Sequence, residues 1–220
     1  MNENTEIMGN ENTGFTNNNV EIVGKINSNL EFSHEVFGER FYIFNLTCKR
    51  LSETEDQIPI IVSNKLESFN ELTQGKYVYI KGNFRSYNEN KDGKSRLILN
   101  VFVRELDILI DTEEKTSEEG FNNIFLEGFI CKKPVYRETP LGKEIADFIL
   151  AVNRPYGKSD YIPCIVWNEN ARKVRDFKVG DEIKITGRVQ SREYTKKISE
   201  KQTEKRIAYE VSCWFLEKKE

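Results

Sequence analysis

Asp160-Tyr161-Ile162-Pro163-Cys164-Ile165-Val166-Trp167 decides the fold, because a partial copy of it, Asp56-Gln57-Ile58-Pro59-Ile60-Ile61-Val62-Ser63, stands 104 positions earlier. Both stretches are short, apolar and rich in β-branched residues, which is the pattern of a buried strand. The same shift lays Gly24 on Gly128, Gly38 on Gly142, Phe44 on Phe148, Leu46 on Leu150 and Arg50 on Arg154. One inserted residue then brings Gly75 onto Gly180, Gly82 onto Gly187 and Ser86 onto Ser191. A few more bring Arg96 onto Arg206 and Val101 onto Val211. So many matches in one order mark a duplicated unit of roughly 95 residues.

The first unit gives its element order. Strand-like runs fall at 20–26, 41–48 and 58–62, and Leu66, Phe69 and Leu72 at helical spacing predict a short helix. Strands follow at 77–82 and 97–109, around an Asp92-Gly93 hairpin signal. Five strands with one helix between the third and fourth predict an oligonucleotide/oligosaccharide-binding barrel, the OB-fold. The fold class expected is therefore all-β, with one short helix per domain and two tandem five-stranded OB-fold barrels. A sandwich is the other all-β reading, and the helix position disfavours it. Gly24, Gly82, Gly128 and Gly187 fit the sharp strand bends that a small barrel needs. Expected boundaries are a disordered 1–16, a first domain at 17–110, an acidic linker at 111–120 and a second domain at 121–217.

Composition excludes several classes. No apolar run is long enough to span a membrane, and the Asn-rich N-terminus lacks the features of a signal peptide, so a cytoplasmic protein with no membrane partner is expected. Cys48, Cys131, Cys164 and Cys213 form no CxxC pair, and His34 is the single histidine. No metal site and no cofactor are expected, and the four thiols are expected buried and reduced. With no nucleophile–base combination, phosphate loop or paired carboxylates, the chain reads as a non-enzyme. Net charge is −3, but it divides unevenly. Residues 121–220 hold 20 Lys+Arg against 15 Asp+Glu, whereas residues 1–120 hold 13 against 21. Such asymmetry points to a binding half and a non-binding half.

In the basic half, Tyr161 and Trp167 share parity on one strand, and Tyr194 shares parity with Arg188, Gln190, Arg192 and Lys196 on the next. The opposite face of that second strand is a poor core face beyond Val189, so its outer part is expected to project as an arm. Aromatic faces beside cations bind single-stranded nucleic acid with little sequence preference. Half-buried sheet aromatics are the alternative reading for each residue alone, and Trp214 reads as structural or interfacial.

These pieces resemble the bacterial single-stranded DNA-binding protein family. The resemblance rests on Asn122–Gly128, Pro140–Lys143, Phe148–Val152, Asp160–Trp167, Val179–Asp181 and Gly187–Arg192. It implies single-stranded DNA binding in replication, recombination or repair, and a grouping of four OB domains. By that analogy, two chains would pair as a homodimer, with replication or repair proteins as further partners. It also implies base stacking on Tyr156, Tyr161, Trp167 and Tyr194, with phosphate contacts from Arg154, Arg188, Arg192, Lys196 and Lys143. The first domain has Ser52, Gln57, Ser63 and Glu89 at the four aromatic positions, so it is expected to keep the fold without the stacking site, with Arg85 and Tyr87 as remaining contacts. A protein-interaction module with secondary binding of DNA or RNA is the alternative function. The family's acidic C-terminal tip has no match in the final Glu217-Lys218-Lys219-Glu220.

Overall fold

The computed structural model describes residues 17–91, 93–109, 120–197 and 202–219. The expected disordered start at 1–16 and all but Gly120 of the expected linker lie outside the described residues. Among these residues eleven strands run β1 (Asn18–Ile26), β2 (Glu31–Val36), β3 (Glu39–Lys49), β4 (Glu55–Ser63), β5 (Tyr77–Lys91), β6 (Lys94–Leu109), β7 (Asn122–Glu138), β8 (Glu144–Asn153), β9 (Ser159–Trp167), β10 (Glu182–Lys197) and β11 (Thr203–Lys218). The one α-helix among the described residues, α1 (Glu169–Arg175), follows β9.

Two OB barrels result. In the first, β1-β5-β6-β4-β3 returns to β1, and in the second, β7-β10-β11-β9-β8 returns to β7. Each ring contains one parallel pair, β4 with β6 and β9 with β11. The repeat holds in register. Leu46 faces Ile58 and Phe44 faces Ile60 in the first barrel, where Leu150 faces Ile162 and Phe148 faces Cys164 in the second. Alternate residues of these strands point inward and are buried, so each barrel fills its own interior with Val, Ile, Leu and Phe.

Glycine is required where the rings bend. A side chain on Gly82 would bring its Cβ to 2.3 Å from the Phe102 carbonyl oxygen, and one on Gly187 to 2.5 Å from that of Ser212. Both sit at register shifts in their hairpins, the bulges that re-aim a strand at a barrel corner.

Three expectations need correction. The short helix expected in the first barrel is a single 3-10 turn, Phe69–Glu71. Leu66, Phe69 and Leu72 recur at strict threes, and that is the 3-10 period. The second barrel has a true helix, whose Ala171 and Val174 are buried. Strand β2 had no sequence signal because all six of its residues are exposed, leaving no buried face to imprint a pattern. Cys131 is only half-buried, at a bulge in β7, whereas Cys48, Cys164 and Cys213 are buried, and all four are free thiols. No helix among the described residues is long and apolar enough to cross a membrane.

The barrels are joined edge to edge. β1 pairs antiparallel with β7, Asn18 opposite Leu126 and Ile22 opposite Asn122. Asn18 receives the Phe84 N–H at Oδ1 and donates Nδ2 to its carbonyl, and Asn122 does the same with Val189. The join is therefore close to two-fold symmetric, as expected when two copies of one unit meet through the same strand.

Candidate nucleic-acid interface

The join continues into two reciprocal ion clusters that fix the hairpin arms. Asp56 in β4 is fully buried. It accepts hydrogen bonds from Arg50 Nε (2.8 Å) and Nη2 (2.6 Å) of its own barrel. From the other barrel come Arg188 Nη2 (2.7 Å) and the Ser191 backbone N–H (2.7 Å). Burial alone would raise the Asp56 pKa. The hydrogen bonds from Arg50, Ser191 and Arg188 outweigh it and hold the carboxyl below its ordinary value. Asp160 in β9 mirrors it, receiving Arg154, Arg85 Nη1 (3.0 Å) and the Ser86 N–H (2.5 Å). Ser191 Oγ accepts from the Gln57 N–H, and Ser86 Oγ accepts from the Tyr161 N–H. Each arm is thus bonded to the third strand of the opposite barrel.

Arg154 and Arg188 were expected to meet the backbone of a bound strand. In the structure their guanidinium groups pair with the buried Asp160 and Asp56. Arg85, kept as a possible contact of the first barrel, is bound to Asp160 in the same way. For Arg188 and Arg85 the sequence could not show this, because their partners come from the other repeat, whereas Arg154 meets Asp160 of its own barrel.

The remaining candidates are accessible. Tyr161 and Trp167 alternate outward on β9, whose inward side carries Ile162, Cys164 and Val166. They are 47% and 38% exposed and stand six residues apart, roughly 20 Å along the strand, so they would meet different bases. Tyr156 is almost wholly exposed in the turn Pro155–Gly157, with φ of 64°. Left-handed backbone is uncommon for a tyrosine, and here the Arg154 N–H to Lys158 carbonyl bond closes the loop around it. Tyr194 lies on the outer arm of β10 opposite Arg206. The arm expectation fits: Arg192 to Lys197 are all exposed, while their strand stays paired with β11. Lys196 and Lys143 are exposed, and Arg192 is exposed with Nε 3.6 Å from Glu210.

Trp167 also opens onto a cleft of about 640 Å³ between the barrels. Ile145, Ile165 and Ile207 form its apolar lining, and Arg137 stands at its side, paired with Asp147 at 2.8 Å. The first barrel contributes Arg50, Thr54, Glu55 and Gln57 to the same cleft. Arg137 and these first-barrel residues were missed, since no motif marks them and the repeat hides which arm crosses which barrel. Trp214 and Phe215 are exposed on β11, away from the barrel interior.

Residues 121–213 match the model of the single-strand binding protein family. That match lies in the second barrel. The second barrel is also similar to curated bacterial proteins. Single-stranded DNA-binding protein 3 of Listeria innocua is 41% identical over 80 residues, covering 33% of this chain and 50% of that protein. Single-stranded DNA-binding protein 1 of Lactococcus lactis is 38% identical over 80 residues, covering 33% and 53%. The chain thus spans about half the length of the curated relatives it matches. In fold, the likeness extends across both barrels. The wild-type single-stranded DNA binding protein from Thermus aquaticus superposes with a TM-score of 0.74 over 92% of this chain and 93% of that one, at 19% identity.

Proposed function

We propose that the chain binds and protects single-stranded DNA, without catalysis, in replication, recombination or repair, and that the second barrel does most of the work. The observation that carries this reading is Tyr161 and Trp167 on the outward face of β9, where the equivalent strand of the first barrel has Gln57 and Ser63. Both strands fold alike, so the aromatic rings are not needed for the barrel. Stacking on them gives affinity without sequence readout. Tyr156 and Tyr194 extend the platform, and Arg192, Lys196 and Lys143 supply phosphate contacts. Arg154 and Arg188 hold the arms in place. The names of the curated relatives support the ligand class. We further propose that residues 17–110 and 121–217 are the two domains, with 111–120 between them, and that two chains pair to assemble four barrels. Light scattering at twice the chain mass of 25.7 kDa tests the pairing.

Binding of oligo-dT at several salt concentrations tests the main reading. Affinity should fall steeply as salt rises. Trp167→Ala with Tyr194→Ala should weaken binding strongly, while Ser63→Ala and Glu89→Ala in the first barrel should matter little. Unchanged affinity in the Trp167/Tyr194 double variant would remove the stacking platform.

A further inference from the structure

We infer that the cleft beside Trp167 is a composite nucleobase pocket, with one wall supplied by the first barrel, and that its wall chemistry favours a base bearing an exocyclic amino group. This rests on the proposed binding of single-stranded DNA and goes further, because it assigns a base preference to a site that both barrels line.

The cleft is apolar at Trp167, Ile165 and Ile207, which suits the faces of a flat ring. Thr54 and Glu55, at the start of β4, close it from the first barrel, and Glu193 of the β10 arm closes it from the second. The arm cannot drift from that wall, since Ser191 is bonded to both Asp56 and Gln57 two residues before Glu193. The pocket is therefore built into the joint between barrels and exists in neither one alone.

Chemistry then selects what enters. Glu55 and Glu193 are exposed to the cleft, and neither has a hydrogen-bond or ion-pair partner among the described residues. The third carboxylate, Glu210, is already engaged by Gln190 Nε2 at 2.9 Å. Arg50, Arg137 and Arg192 also line the cleft but are paired with Asp56, Asp147 and Glu210, so the two uncommitted carboxylates are its free acceptors for a base turned inward. A carboxylate is an acceptor only. It can receive the N4 amino hydrogens of cytosine, whereas uracil and thymine present a carbonyl oxygen at that position, which would face the carboxylate without a proton between them.

The test compares oligo-dC, oligo-dU and oligo-dT of one length, with dU included so that the thymine methyl does not confuse the comparison. Affinity and Trp167 emission are read together. The wild-type chain should bind dC about tenfold more tightly than dU, one favourable base contact's worth of discrimination. In Glu55→Ala with Glu193→Ala, that ratio should fall to near one because dC loses its acceptor, while dU and dT bind no more weakly than to the wild-type chain. A purely structural role would lower all three affinities together and leave the ratio intact. If Trp167 is quenched but the wild-type chain shows no dC preference, or the double variant keeps it, the base pocket is refuted while DNA binding by the platform stands. If no oligonucleotide binds or quenches, the proposed function falls and the pocket with it.

Discussion

Asp56→Ala gives a sharp test of the barrel join. Asp56 has no exposed surface and four short hydrogen bonds, three from guanidinium nitrogens and one from the Ser191 N–H. Removing it leaves Arg50 and Arg188 facing each other without a counter-charge, and leaves one buried N–H unpaired. Breaking a buried pair from one side costs about 3–5 kcal/mol. The two arginine side chains are still partly open to water, which rehydrates some of the lost charge and puts the expectation at the lower end, about 3 kcal/mol. For a domain pair of this size that is a fall in Tm of about 6–12 °C. Urea denaturation followed by circular dichroism would measure it. A double-mutant cycle with Arg188→Ala should show strong coupling, since the second change relieves an unpaired charge that the first created. A loss under about 0.5 kcal/mol, or independent behaviour of the two sites, would refute the claim that this cluster ties the arm of one barrel to the other.

Three further outcomes follow from the same structure. Asp56 has its carboxyl pKa lowered on folding, so its contribution is complete above the ordinary carboxylate value of about 3.9 and is lost as pH falls through the lower folded value. Acid unfolding below about pH 4 should therefore be less steep in Asp56→Asn than in the wild-type chain. Gly128→Ala should destabilise by about 1–3 kcal/mol, because its Cβ would lie 2.4 Å from the Ala151 carbonyl oxygen, whereas Gly157→Ala meets open space and should cost only the backbone strain of its positive φ, about 1 kcal/mol. Thermal melts of the two variants would separate these cases. Tyr161→Ala should weaken oligo-dT binding by about 1–3 kcal/mol with little change in Tm, a split visible by pairing titration with calorimetry.

Much of this was legible in the sequence because the chain carries its own comparison. The Ile-Pro pairs, the corner glycines and the alternating core residues recur at one shift, and they occupy the same register in both barrels. The four aromatics recur in only one copy, which separated binding surface from folding requirement. What was not legible is where the copies touch. Arg154 and Arg188 looked like phosphate ligands because they flank aromatics on exposed strand faces. Arg188 meets its partner Asp56 only once the arms cross between barrels, and Arg154 meets Asp160 within its own barrel, six residues on. Thr54 and Glu55 went unnoticed because their place beside the other barrel's arm is likewise set only by the join. β2 escaped because a fully exposed strand carries no periodic signal, and the first helix was overcalled because a spacing of three fits a 3-10 turn as well as an α-helix.

The central claim is that Trp167 stacks on a base of single-stranded DNA. The chain has two tryptophans, so Trp214→Phe leaves Trp167 as the sole indole reporter. Titrating that variant with oligo-dT while following tryptophan emission tests the claim most directly. Emission should fall on binding, saturate, and recover as salt is added. Binding detected by another method with Trp167 emission unchanged would contradict it.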